Sequence, residues 1–195
     1  ISTIGDIVPL LSENRIITVL GLKEINKKNC RPSIGYLKSK LKLNTLTSTD
    51  IAFKVVPRIN ACGRMTTAEK CFHFLCATNG NSLQNLYKQI EEDNSNRLTE
   101  TSAIMDRVYK QVSQVDLNEK PALFILDNSI NLGLIGIVAS KLCAEMHRPV
   151  FVFTEDEEGR LKASIRSNDG INIFNIIDKS RDILVDVGGH SQAGG

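Results

Sequence analysis

Three groups of residues in this 195-residue sequence have the types and spacing to hold an anion. The first is V-P-R-I-N-A-C-G-R-M, Val56 to Met65, in which Arg58 and Arg64 lie on either side of Asn60, with Gly63 beside the second arginine. A guanidinium is a planar fork of donors that matches phosphate oxygens. Pro57 fixes φ and lacks an N–H, so regular structure is expected to stop there. Gly63 permits backbone conformations that other residues resist. Residue types alone leave two readings: a rigid loop that aims Arg58 and Arg64 at an anion with Asn60 bracing it, or a helix-joining loop with two solvated arginines. The second group is A-S-I-R-S, Ala163 to Ser167. Strand side chains alternate, so Ser164 and Arg166 would share a face, and a hydroxyl beside a guanidinium makes an anion clamp. The plain alternative is an edge strand with a solvated arginine. The third group is G-G-H-S-Q-A-G, Gly188 to Gly194. The pair Gly188-Gly189 before a helix would turn backbone N–H groups toward an anion, and His190 could donate to a phosphate oxygen.

Other chemistries fit poorly. There is no G-x-S-x-G elbow, so Ser164, His190 and Asp186 do not read as a hydrolase triad. Neither a Walker A loop nor a dinucleotide fingerprint occurs. Five cysteines without a C-x-x-C argue against zinc and disulfide frameworks and fit a reduced cytoplasmic setting. Cys71, His73 and Cys76 fall in an apolar helical pattern, which favours core packing over a metal. No apolar run reaches the length of a membrane span, and the N-terminus has no signal-peptide layout. The net charge of +2 is small, although Arg15 to Lys42 holds eight lysines and arginines against one acid, Glu24. That cluster reads equally as a phosphate track or as the solvated face of two helices. The chain begins on Ile1 and closes on Gly194-Gly195, which reads as a piece cut from a longer protein.

The elements that must position these residues fall into two halves. Ile1 to Leu10 reads as a buried segment passing into a turn or short helix. Helices are expected from Glu13 to Lys28, with Ile16, Val19, Leu20 and Leu22 as apolar positions, and from Ser33, as its cap, to Lys42. Ile51 to Val56 reads as a short buried helix, and Thr67 to Ala77 as a helix with Cys71, Phe74 and Leu75 inward. Ser82 to about Val115 reads as one long helix with two apolar stripes. Its middle, E-E-D-N-S-N-R, is polar on every side, as in a helix that bridges domains. Beyond Pro121 the order is strand (122–126), buried helix (133–146) and strand (149–154), a right-handed crossover with parallel strands. A third strand (161–167), a helix (171–178) and a last strand (183–187) follow.

P-R-I-N-A-C-G-R-M resembles the P-R-[IL]-N-A-A-G-R-[ML] signature of the RecJ family, 5′→3′ single-strand-specific DNA exonucleases of the DHH phosphoesterase superfamily. Cys62 stands where alanine is usual. I-S-T-I-G-D-I-V-P-L resembles the family's G-T-[IV]-A-D-V-V-P-L stretch, and N-L-G-L-I-G-I-V-A-S its W-H-x-G-V-I-G-I-V-A, with Ile130 and Asn131 in place of tryptophan and histidine. A-S-I-R-S resembles G-S-x-R-S, and G-G-H-S-Q-A-G the G-G-H-x-x-A-A-G of DHHA1 domains. The resemblance implies an α/β fold: the helical end of a DHH domain (1–80), a connecting helix (81–118) and a small DHHA1 domain with a mixed sheet (119–195), incomplete at its C-terminus. It implies that Arg58, Asn60, Arg64, Ser164, Arg166, Gly188, Gly189 and His190 hold single-stranded DNA, with Ser164 and Arg166 at a terminal 5′ phosphate. It also implies that Mn²⁺ or Mg²⁺ sits on residues upstream of this chain, which would carry no metal or catalytic residue itself. The implied role is in cytoplasmic DNA repair and recombination, with a single-strand-binding protein as a further partner and no membrane. Two alternatives remain: a non-catalytic DNA-binding relative, and a DHH phosphodiesterase acting on oligoribonucleotides or cyclic dinucleotides.

Overall fold

A computed structural model describes residues 1–117 and 120–195, which divide into two compact units, Ile1–Arg97 and Leu98–Gly195. The boundary expected at 118/119 lies outside the described residues.

The first unit is helical. α1 (Ser2–Gly5), α2 (Ser12–Ile25) and α3 (Pro32–Lys40) come first. Pro32 starts α3 rather than ending what precedes it, since the first helical turn needs no N–H from that position. Ser33, expected as the cap, is fully buried inside α3 and donates to the Leu75 carbonyl at 3.0 Å. The N-terminal segment is less buried than its hydrophobicity implied: Ile7, Leu11, Ile16 and Leu20 are all exposed. In the basic stretch, Lys27 pairs with Glu24, Lys38 caps the Ile25 carbonyl and Lys40 lies over the Tyr36 ring. Those three charges serve local structure, as the solvated-face reading has it.

α4 (Ser48–Asp50) opens with a capping box in which Thr47 and Asp50 satisfy each other's backbone N–H groups. It passes into a π-helical turn, Ile51–Val55, and then into α5 (Val56–Met65). The short buried helix expected over 51–56 is therefore present, but it does not end at Pro57. The Val56 N–H reaches back five residues to the Ile51 carbonyl. Pro57 then occupies the start of α5, where its missing N–H costs little. The two-arginine stretch, expected as a loop, is thus a helix. α6 (Glu69–Cys76) follows, and then α7 (Gly80–Val112). Ile34, Leu37, Ile51, Val55, Phe74, Leu83, Tyr87 and Ile90 build one core, with Tyr36 meeting Phe74 and Tyr87 edge-on.

The second unit is a five-stranded mixed sheet. β1 (Leu123–Leu126) pairs parallel with β2 (Val150–Glu155) across the crossover helix α8 (Ile135–Met146), as the sequence pattern predicts. β3 (Leu161–Arg166) is antiparallel to β2. α9 (Ile173–Ile177) runs into a 3₁₀ turn, Asp178–Ile183, where a strand was expected to begin. The closing hairpin is instead β4 (Gly189–His190) and β5 (Ala193–Gly194), in the order β1-β2-β3-β5-β4. An isolated apolar run such as Ile183 to Val187 signals a strand only when a neighbour is free to pair with it. Here β3 is already paired with β5, and Val185 is almost fully exposed. α8 packs on one face of the sheet, over Val150 and Val152; on the other, Ile165, Ile173, Ile177 and Val187 form a small core.

Candidate nucleic-acid interface

In the first unit, α5 presents Arg58 and Arg64. Arg58 is already engaged. Its Nε donates to Glu91 of α7 at 2.5 Å and its Nη1 to the Lys54 carbonyl at 2.6 Å. Tyr87 shares the same carboxylate; burial first, and then Glu91, pushes its hydroxyl up to about 12. Arg58 therefore ties α5 to α7. Arg64, half-buried, stands six residues further along the helix. Asn60 is exposed and has no loop to brace. Gly63 is helical, and a side chain there would meet only ordinary contact with Ala68, so no special conformation explains it.

Below these residues the polar middle of α7 is not solvated all round. Asp93 and Asn94 are buried. Asp93 accepts Lys70 at 2.9 and 3.2 Å and Thr66 at 2.8 Å, a network that holds the C-terminal end of α5 and the start of α6 to α7. A buried carboxylate needs such partners. Arg97 lies one turn on, donating to Asn94 Oδ1 at 3.0 Å. Cys62 faces Cys71 of α6, with the two sulfurs 2.8 Å apart. Their hydrogen bond lowers the donor-receiving Cys62 thiol and, together with burial, raises Cys71.

In the second unit, residues opposite one another in an antiparallel ladder project to the same face. Arg166 is opposite Ala193, and Ala193 is opposite His190. Arg166 and His190 thus share a face two strand spacings apart, about 10 Å. Ser164 is on that face too, accepting from Arg166 Nη1 at 3.1 Å. It is the face covered by α8, whose Ser140 accepts from Arg166 Nε at 3.1 Å. Gly136, in the first turn of α8, matters here: a Cβ would lie 3.3 Å from both Arg166 Nη2 and Ser164 Oγ. Its lack of a side chain lets the amino end of the helix, with its partial positive charge, approach the clamp. The backbone N–H of Gln192 points at His190 Nδ1 (3.4 Å), which leaves Nε2 to carry the proton of the neutral ring.

The paired glycines do different work from that expected. They lie in and beside a strand, not before a helix, and the Gly188 N–H is spent on the Gly195 carbonyl. Gly189 has φ +153°, and a Cβ there would come within 2.3 Å of the Ala193 carbonyl oxygen. It lets the hairpin close. At Gly194, where the DHHA1 pattern has alanine, the Ile177 side chain fills the space, 2.6 Å from a would-be Cβ. Asn131 folds back on the Gly133 N–H at 2.8 Å and Ile130 is buried, so both shape the turn before α8.

Sequence reasoning missed Arg97, Asp93, Gly136 and Ser140 as participants. Gly136 and Ser140 could have been paired with Ser164 and Arg166, because positions four apart share a helix face. Nothing local marks Asp93 or Arg97 within a uniformly polar run. Among the described residues, no group of three His, Cys, Asp or Glu side chains is arranged to hold a metal ion, and no helix is long and apolar enough to cross a membrane.

Residues 109–195 match the family described as the DHHA1 domain. The whole chain is 36% identical over 201 residues to the single-stranded-DNA-specific exonuclease RecJ of Bacillus subtilis, spanning 25% of that protein. It is 29% identical to RecJ of Thermus thermophilus, spanning 28%. The crystal structure of Thermus thermophilus RecJ in complex with Mg²⁺ superposes with a TM-score of 0.86 at 30% identity, over 99% of this chain and 30% of that one. A crystal structure of exonuclease RecJ bound to manganese gives 0.78 at 29% identity, over 98% of this chain and 47% of that one. The chain spans less than half the length of each of these relatives.

Proposed function

This chain belongs to the RecJ family and carries a DHHA1 domain, and from that premise we propose that it is the substrate-holding part of a 5′→3′ single-stranded-DNA exonuclease of DNA repair and recombination. The observation that carries the reading is the shared face of Ser164, Arg166 and His190 beside the amino end of α8. A terminal phosphate carries more charge than an internal diester. Guanidinium, hydroxyl and helix terminus together favour the more charged group. His190, with its proton on Nε2, can donate to a neighbouring phosphate oxygen. Arg64 on α5 is assigned to the backbone of the strand, where contacts position but do not read sequence.

Catalysis by such a nuclease calls on divalent metal. The described residues do not fit a metal centre, so the ligands are assigned to sequence outside this chain, and no step is derived through an ion here. What these residues supply is grip and alignment of the 5′ end.

The test is a pair of cleavage rates for 5′-phosphorylated and 5′-hydroxyl single strands, measured on the intact protein and on its Arg166→Ala form. A preference for the phosphorylated end that disappears with Arg166 is the expected result. An unchanged rate ratio would move the terminal-phosphate pocket elsewhere and leave A-S-I-R-S as a structural strand.

A further inference from the structure

Ser140 belongs to none of the three anion-holding groups of the sequence, yet it is bonded to the arginine at the centre of one. It is exposed on α8, one turn after Gly136. Its hydroxyl donates to the Gly136 carbonyl at 2.8 Å and accepts from Arg166 Nε at 3.1 Å. A hydroxyl has one proton to give, and in Ser140 that proton is committed to the helix. What it offers Arg166 is a lone pair. The other side of the guanidinium is held from β3 itself. There Nη1 donates to Ser164 Oγ at 3.1 Å and to the Ile165 carbonyl at 2.8 Å. Anchors on two different nitrogens, one from the helix and one from the strand, fix the plane of the fork. Nη2 then faces the space at Gly136, 3.3 Å from where a Cβ would stand. Helix stability does not explain the serine. Alanine is the better helix former, and back-bonding to the carbonyl four residues earlier slightly weakens and bends a helix.

We propose that Ser140 is a positioning residue that pre-sets the Arg166 guanidinium for a terminal 5′ phosphate, and so helps set the preference for phosphorylated ends. The inference rests on the functional reading above, which assigns that phosphate to Ser164 and Arg166, and adds the residue that aims the arginine. An arginine side chain has much rotamer freedom to lose, and a ligand that must order it binds more weakly. The relay from Arg166 Nε–H to the Ser140 hydroxyl to the Gly136 carbonyl removes that freedom before the strand arrives. Linked hydrogen bonds polarise one another, so the Ser140 oxygen is a better acceptor for donating to Gly136. With its proton used there, Ser140 acts through Arg166 and not as a phosphate contact of its own. The hydroxyl that can donate to the phosphate is that of Ser164.

The experiment compares the affinities of the full chain for a 5′-phosphorylated and a 5′-hydroxyl oligothymidylate of one length. Wild type, Ser140→Ala, Ser140→Thr and Arg166→Ala are measured, each with its melting temperature. Ser140→Ala is expected to lower the ratio of the two affinities by about two- to tenfold, the range for one rotamer-rich side chain left for the ligand to order. It should melt no lower than the wild type, because alanine is the better helix former and the released Arg166 Nε lies where water reaches it. Ser140→Thr should restore the ratio. Threonine in a helix can bond the same carbonyl four residues earlier, and at this exposed position its methyl meets solvent. A Ser140→Ala protein that keeps the wild-type ratio, while Arg166→Ala loses it, overturns the positioning role and leaves the clamp standing. A ratio lost in both Ser140→Ala and Ser140→Thr, together with a fall of several degrees in melting temperature, makes Ser140 a packing residue and also overturns the role. If the wild type shows no preference, or Arg166→Ala keeps it, the terminal-phosphate reading falls and this inference falls with it.

Discussion

The two arginines of the signature stretch look equivalent in the sequence and are not. Arg58 makes short charge-assisted bonds to Glu91 and the Lys54 carbonyl. Its loss leaves Glu91 half-buried with only Tyr87. Arg58→Ala is therefore expected to destabilise the protein by about 1.5–3 kcal/mol, the range for a hydrogen bond to a charged group, and a urea melt measures it. Arg64→Ala should instead weaken single-strand binding by a similar energy at an unchanged melting temperature. If the two effects are exchanged, the assignment of brace and contact is reversed. Gly136 gives a sharper test of the second unit. Alanine is favoured over glycine by about 1 kcal/mol in a helix interior and by less in a first turn, which should offset part of the crowding of a Cβ 3.3 Å from Arg166 and Ser164. Gly136→Ala is expected to fold with near-normal stability but with Arg166 displaced, so the preference for a 5′ phosphate should fall. Full retention of that preference would mean that the clamp does not depend on the space at Gly136. Ser164 and Arg166 were legible because strand alternation places them on one face. The part played by Gly136 was not, because it depends on which face α8 covers.

Among the elements, the departures from expectation have a common cause: propensity reads one residue at a time, while partners decide. Pro57 signals a stop, yet the π-helical turn before it shifts the backbone register and α5 continues. E-E-D-N-S-N-R signals a solvated stretch, yet Lys70 and Thr66, more than twenty residues away, supply the partners that let Asp93 be buried. Asp93→Ala should cost about 3 kcal/mol, the low end for breaking a buried pair because Lys70 keeps some access to water, and should loosen the packing of α6 on α7. Hydrogen exchange across 69–76 reports it; protection equal to wild type would show that the network is decorative. The capping box before α4 makes a prediction in pH. Bonds from Lys54 and then Thr47 lower the Asp50 carboxyl from 3.8 to about 2. A depressed folded-state value means that the contribution is present above the ordinary value and lost as pH falls from about 4 toward 2. Asp50→Asn should be less stable than wild type at neutral pH, with the difference shrinking over that acid window. A gap that stays constant from pH 5 to 2 would show that Asp50 stabilises through shape rather than charge.

For the molecule as a whole, the crossover β1-α8-β2 and the strand after it were read correctly because each buried element carries its own apolar signal, whereas the strand expected over 183–187 is absent and the closing hairpin β4-β5 was not foreseen. The resemblance to RecJ, spread over the length of the chain, is matched by a TM-score of 0.86. What sequence order alone could not give is the burial of Asp93 against Lys70 and Thr66, or the tie of Arg58 to Glu91. That division of labour shapes the last prediction. The proposed reading assigns phosphate contacts to Arg64 in one unit and to Ser164 and Arg166 in the other, while among the described residues no cluster of carboxylates and histidines is arranged for a metal. Binding and cleavage should therefore separate in this chain. Purified to remove contaminating nucleases, it is expected to retard a labelled single strand in a salt-sensitive way. With added Mn²⁺ or Mg²⁺, it should release no nucleotides over hours. Supplying metal should leave the retarded band intact, since the groups that grip a phosphate cannot by themselves activate water. Mononucleotide release that depends on metal and disappears with Arg166→Ala would place a catalytic centre within these 195 residues and reverse the assignment of this chain as the holding part of the enzyme.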